Sequence, residues 1–92
     1  MIVAEDILSA SCKAHKVTWN MAMADSRIQC IVDTRAAAMY VMRRRLGMRY
    51  TDIALFFGRT YPTVIHHVRL VARFPKLYKI PEIEEILKKL QR

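Results

Sequence analysis

The 92-residue sequence predicts an all-α fold, a compact bundle of about five to six helices containing a helix-turn-helix, and three observations carry that expectation. Only two Gly and three Pro are present, too few punctuators for a turn-rich β fold. Apolar residues recur at three- and four-residue spacing through most of the chain, the period of a helix face. Two short amphipathic segments flank a turn containing Gly58, the spacing of a helix-turn-helix. One domain is expected over residues 1–92, with its core in 4–75 and a bracing helix at 81–91. A chain this short buries roughly 60–65% of its unfolded surface, so every apolar face counts. The hydrophobic fraction of 53% supplies enough such faces.

The first helix is expected from about Val3 to His15. Val3, Ile7, Ala10 and Ala14 form its stripe, with Leu8 and Cys12 beside it. Glu5 and Asp6 suit its N-terminal dipole, and Lys13, His15 and Lys16 its C-terminal one. Thr18 is placed to cap a short helix carrying Trp19, Met21, Ala22 and Met23, and Ala24–Arg27 reads as a loop. The central helix is expected from about Asp33 to Leu46. Its run of seven apolar residues, Ala36 to Met42, implies burial on nearly all sides. Gly47 ends it, after Arg43, Arg44 and Arg45, whose charges offset the helix dipole. A helix from about Tyr50 to Phe57 carries Ile53, Ala54, Phe56 and Phe57 and ends at Gly58. The next runs from Tyr61 to about Phe74, with Thr60 as N-cap, Pro62 in the first turn and Pro75 as the stop. The last segment starts at Pro81, presents Ile83, Ile86, Leu87 and Leu90, and sets Glu residues four places before Lys.

The formal charge of +8 and pI near 10.0 draw polyanions, with nucleic acid the first candidate and an anionic membrane surface the second. Between Arg27 and Lys79 the cations are almost all Arg, opposed only by Asp33 and Asp52. The planar fork of Arg suits phosphates and guanine edges. Cys12 and Cys30 form no disulfide framework, and both read as small core residues. Cys12 and His15 have a ligand-like spacing without further ligands in register, so no metal and no cofactor are expected. There is no signal-peptide pattern and no apolar run near the ~20 residues of a membrane span, so a cytoplasmic, nucleoid-associated location is expected.

On a wheel of residues 63–74, Val64, Ile65, Val68, Val71 and Ala72 share one side and are expected to pack inward. Pro62, Thr63, His66, Leu70 and Arg73 share the other, flanked by His67 and Arg69. Thr63 and His66 can donate to or accept from base edges, and Arg69 and Arg73 can reach phosphates. In a helix-turn-helix it is the N-terminal end of the second helix that enters the major groove, and Arg59, Thr60, Tyr61, Pro62 and Thr63 stand there. Tyr61 suits a core aromatic as well as a base contact, and the His pair suits a half-exposed face as well as a contact surface.

Three stretches carry a family resemblance: Arg35-Ala36-Ala37-Ala38-Met39-Tyr40, Tyr50 to Arg59, and Pro62-Thr63-Val64-Ile65-His66. They resemble the C-terminal DNA-binding domain, domain IV, of the bacterial replication initiator DnaA. That family has an arginine before an apolar "AMY" helix and an "EIG…FGGRDHTTVLHA" helix-turn-helix. The resemblance covers roughly residues 4–75. It implies a Trp-repressor-like bundle that reads a DNA box through major-groove contacts and a minor-groove arginine. On that resemblance Arg59, Thr63 and His66 read bases, with Thr60, Tyr61 and Pro62 standing where the family has Asp-His-Thr. Arg27 is the counterpart of the minor-groove arginine. Arg49, Tyr50 and Thr51 fall among backbone and thymine contacts. Arg35, His67, Arg69 and Arg73 complete the expected minor-groove and backbone set. One of the family's two glycines is absent, so the base-reading turn is altered.

The sequence therefore predicts a non-enzymatic, sequence-specific binder of double-stranded DNA, bacterial or phage-borne, acting in replication initiation or its regulation. It has no phosphate-binding loop for an ATPase and no catalytic set. A transcriptional repressor on the same fold and an adaptor that mimics the initiator domain are the alternatives. Replication proteins are secondary candidate partners, no membrane contact is expected, and the oligomeric expectation is a monomer or weak homodimer.

Overall fold

The computed structural model describes residues 1–90, and among them only helices and connections occur. The order is α1 (Ala4–His15), α2 (Trp19–Met23), α3 (Gln29–Leu46), α4 (Tyr50–Phe57), α5 (Tyr61–Arg73) and α6 (Ile80–Leu90). Gln91, expected to end the bracing helix, lies outside the described residues. No helix among them is long and apolar enough to cross a membrane.

α3 is the beam of the bundle. Ala36, Ala37, Ala38, Met39, Val41 and Met42 are all buried, because α1, α2, α4 and α5 pack around it. α1 turns Ile7, Leu8, Ala10 and Cys12 inward, and α6 lays Ile83 and Leu87 against α1. Burial of such side chains stabilises by about 1.5–3 kcal/mol each, which is how so short a chain sustains a core. The Ser11 hydroxyl donates to the Thr34 carbonyl oxygen at 2.8 Å, so the buried polar atom where α1 crosses α3 is satisfied. At the far end of α3, Arg45 Nε lies 2.7 Å from Glu84 Oε1, tying α3 to α6. Glu84 thus pairs across helices, whereas the sequence predicts a partner four residues along its own.

Three helix ends follow the cap chemistry expected of them. Thr18 Oγ1 accepts from the Met21 amide at 3.2 Å, as expected for the α2 cap. Gly47 and Gly58 both sit at φ 63° and close α3 and α4 in the left-handed conformation that glycine adopts without penalty. Thr60 has N-cap backbone geometry, but its hydroxyl meets the Thr63 hydroxyl at 2.8 Å rather than a backbone amide. α6 begins one residue before Pro81.

Several expectations need correction. α3 starts at Gln29, not near Asp33. Its N-cap is Ile28, which offers no side-chain oxygen and so leaves no polar signature; Asp33 instead accepts from Gln29 Nε2 at 2.7 Å within the first turns. Cys12 is buried as expected, and burial pushes its thiol pKa up, but Cys30 is exposed on that added first turn. Val3 is exposed just ahead of α1, and Ala72 is exposed next to the fully buried Val71, so the inward face of α5 is narrower than the wheel suggests. Among the described residues no group of three His, Cys, Asp or Glu is placed to hold a metal.

Candidate nucleic-acid interface

The helix-turn-helix is α4, a three-residue turn over Gly58, Arg59 and Thr60, and α5. The Arg59 amide donates to the Ala54 carbonyl at 2.9 Å as the chain reverses through Gly58. Val64, Val68 and Val71 bury one face of α5 against α3 and α4, which fixes the opposite face outward. Tyr61, Pro62, His66, Arg69 and Arg73 are exposed there, Thr63 and His67 are half-buried, and α5 carries no acidic residue. The apolar wheel positions therefore set which side chains can reach a partner.

Two arginine-lined clefts flank the start of α5. On one side Arg43, Arg49, Tyr50, Thr51 and Tyr61 enclose about 320 Å³. The Arg43 guanidinium lies 4.6 Å from the Tyr50 ring centroid and donates to the Met48 carbonyl at 2.9 Å. Tyr50 in turn meets Tyr61 edge-on at 6.0 Å. Tyr61 is thus an exposed aromatic propped from behind, which settles its open placement against the core. Arg49 is paired with Asp52 at 3.1 Å, and both are accessible. Arg43 is absent from the expected site residues because a cation near a helix C-terminus already has a structural explanation. Its stacking partner lies on the next helix, beyond any local pattern.

On the other side a cleft of about 330 Å³ opens between α5 and the loop joining α2 to α3. Arg27 is exposed on that loop, without a hydrogen-bond partner among the described residues. Arg35 departs from the expectation of a DNA-contacting cation. It is 7% exposed, and its guanidinium donates to the carbonyls of Ala22 at 3.1 Å, Ala24 at 3.0 Å and Ser26 at 2.6 Å. The cause is its place on the inward side of α3, where only a planar donor fork can serve three converging carbonyls. Burial, then the charge of Arg59, lowers its pKa from the ordinary arginine value, and Asp25 opposes the shift.

Arg59 sits beside the same loop. Its guanidinium meets Asp25 Oδ1 at 3.0 Å and the Ala24 carbonyl at 3.1 Å. The expected base reader is therefore engaged with the loop in the free protein. Asp25 and Ser26, unremarkable in sequence, join the site through these contacts. A third, shallow and largely apolar hollow of about 340 Å³ lies over Tyr61, Pro62, Ile65, His66 and Arg69. Side chains of this kind can meet a thymine methyl, while His66 offers a donor or acceptor.

The assembly brings together the start of α5, the start of α4 and the α2–α3 loop, and leaves Arg69 and Arg73 further along α5. Comparison with known proteins adds to this geometry. Residues 4–71 match the family model described as the bacterial dnaA protein helix-turn-helix. The Chromosomal replication initiator protein DnaA of Methylacidiphilum infernorum (isolate V4) is 30% identical over 90 residues, which is 97% of this chain. The chain spans 19% of that relative's length. The match spans most of the chain, from the start of α1 into α5, and the chain belongs to the bacterial DnaA helix-turn-helix family.

Proposed function

We propose that this domain binds double-stranded DNA with sequence preference, and that it does so in the initiation of replication or its regulation. The observation that carries the reading is the start of α5, which stands exposed between two arginine-lined clefts, one on each side. A recognition helix needs that arrangement: base-reading side chains in the middle, cations for the sugar-phosphate strands at the flanks. Family membership favours replication over transcriptional repression, and the retained basic face disfavours an adaptor. Such a role belongs in the cytoplasm, at the nucleoid.

In this reading α5 enters the major groove. Tyr61, Pro62 and His66 meet base edges and thymine methyls, and Thr60 and Thr63 supply hydroxyls. Arg59 exchanges Asp25 for a guanine edge, and Arg27 reaches the adjacent minor groove. Arg49, Tyr50, Thr51, Arg69 and Arg73 meet backbone.

Selection of bound sites from random duplex DNA tests it. The expected result is an enriched contiguous motif lacking a dyad, as one recognition helix on a monomer requires; a palindrome would instead point to a homodimer. With about six phosphates neutralised, log K against log salt should fall with a slope of roughly −5. No enrichment together with salt-insensitive binding would overturn the reading.

A further inference from the structure

The cleft between the α2–α3 loop and α5 has a composition that base reading does not explain. Arg27, Arg35 and Arg59 line it, and Asp25 is the one carboxylate at its edge. Asp25 pairs with Arg59 at 3.0 Å, but its side chain is 92% exposed, so water and salt weaken that pair and an arriving anion can compete with it. Val32 and Met39 contribute an apolar floor. From α5 come Thr63 and His67. His67 is half-buried, yet its ring makes no hydrogen bond to any described residue. A half-buried imidazole facing a cationic cleft without a partner is an unused donor.

The groups around His67 come from every neighbouring element. His66 on its own helix has its ring 5.7 Å away, Arg35 and Asp33 face it from α3, and Arg59 from the turn. Burial first, then His66, Arg35 and Arg59, pull its pKa below the ordinary histidine value, and Asp33 alone opposes them. These surroundings favour the neutral form of His67 in the free domain, in a site that attracts anions.

We propose that this cleft seats one phosphate of the duplex backbone, with His67 and Thr63 donating to its oxygens in the field of Arg35 and Arg59. The inference rests on the DNA-binding reading, in which α5 lies in one groove and the Arg27 loop in the next. A single sugar-phosphate strand separates adjacent grooves, and it must cross the gap between those two elements. The apolar floor suits a sugar, and the rim suits its phosphate.

Proton uptake follows from this seating. The arriving phosphate replaces repulsion by attraction at His67 and raises its pKa in the complex. Affinity therefore increases as pH falls through the window between the bound and free pKa values, by up to about tenfold per pH unit. Above the bound value the proton is lost and so is the gain.

The test measures duplex affinity of the full chain by anisotropy between about pH 8 and pH 5.5 at constant ionic strength. The parent is compared with His67→Gln, and NMR follows the His67 ring in the free and duplex-bound parent. The proposal expects tighter binding at low pH in the parent, a flattened profile in H67Q, and a His67 pKa that rises on duplex addition. The ring titration uses the parent alone and so stands even if H67Q folds poorly. An H67Q profile as steep as the parent's, or a His67 pKa unmoved by bound duplex, overturns the proposal while leaving DNA binding intact. A parallel titration with inorganic phosphate separates the sources. A ring shift with free phosphate but none with bound duplex makes the cleft a small-anion site and also overturns it. A folded parent that binds no duplex at any pH refutes the DNA-binding reading itself.

Discussion

Arg35 offers the most demanding test of how the interface is held. Its three hydrogen bonds fix the carbonyls of Ala22, Ala24 and Ser26, and so set the path of the loop that carries Arg27. Replacement by Met keeps the aliphatic stem and removes every donor. Hydrogen bonds to charged groups contribute about 1.5–3 kcal/mol each, but the loop carbonyls regain water when the loop lifts. The Ala22 carbonyl, on a fully buried residue, regains least. A net cost of about 3 kcal/mol is expected for Arg35→Met, against a total stability of roughly 5–14 kcal/mol for a domain of this length. At about 4–8 °C per kcal/mol the melting temperature should fall by about 12–24 °C. Arg35→Lys should recover part of this, since one ammonium cannot span three converging acceptors.

Thermal melts give the magnitude, and amide hydrogen exchange across residues 24–28 gives the cause. The loop amides should lose protection before the core amides of α3 do. Loss of affinity should exceed what the unfolded fraction accounts for, because Arg27 is no longer presented. A variant R35M that melts within about 2 °C of the parent, with unchanged loop protection, would refute the reasoning. It would show that the loop is held by something other than this guanidinium.

Two further outcomes follow from the surface. Arg59→Ala should weaken the preferred duplex by about 1–3 kcal/mol and random duplex far less, with only a small fall in melting temperature because its carboxylate partner is exposed; competition between selected and scrambled duplexes decides it, and equal binding to both at the parent's level counts against a base-reading Arg59. Arg69→Ala and Arg73→Ala should each weaken all duplexes alike and reduce the salt slope by about one, so a loss confined to one sequence would assign them to base contacts instead.

Much of this was legible in the sequence wherever the cause is local. Gly47, Gly58 and Pro62 each act through their own backbone, and the two glycines end their helices where expected. The Val64, Val68, Val71 stripe is a periodic signal, and it oriented α5 correctly. What escaped is tertiary. Arg35 meets acceptors nine to thirteen positions away, and Arg59 meets Asp25 thirty-four positions away. An arginine spent on carbonyls and one left for phosphate look identical in a sequence. Its charge therefore counts Arg35 among the expected DNA contacts, while the helix-dipole explanation leaves Arg43 out of them. The early start of α3 escaped for the opposite reason, since an isoleucine N-cap carries no chemical mark.

In the proposed interface these contacts let α3 position the base-reading residues without presenting any of its own. Toward its N-terminal end Arg35 grips the loop, and Arg59 reaches the same loop from the turn. Near its C-terminal end Arg43 stacks on Tyr50, which abuts Tyr61 at the start of α5. Both flanks of α5, the proposed recognition helix, are thus referenced to one element. Bidentate base contacts tolerate little misplacement, so a recognition helix anchored at one side only would lose accuracy at the other. Arginine is needed at both ends for different reasons. At position 35 the requirement is a fork that serves three carbonyls; at position 43 it is a flat cation that stacks on a ring while one N–H holds Met48. Lysine would preserve the charge at either place and lose the geometry, so the basic character of α3 is structural before it is electrostatic.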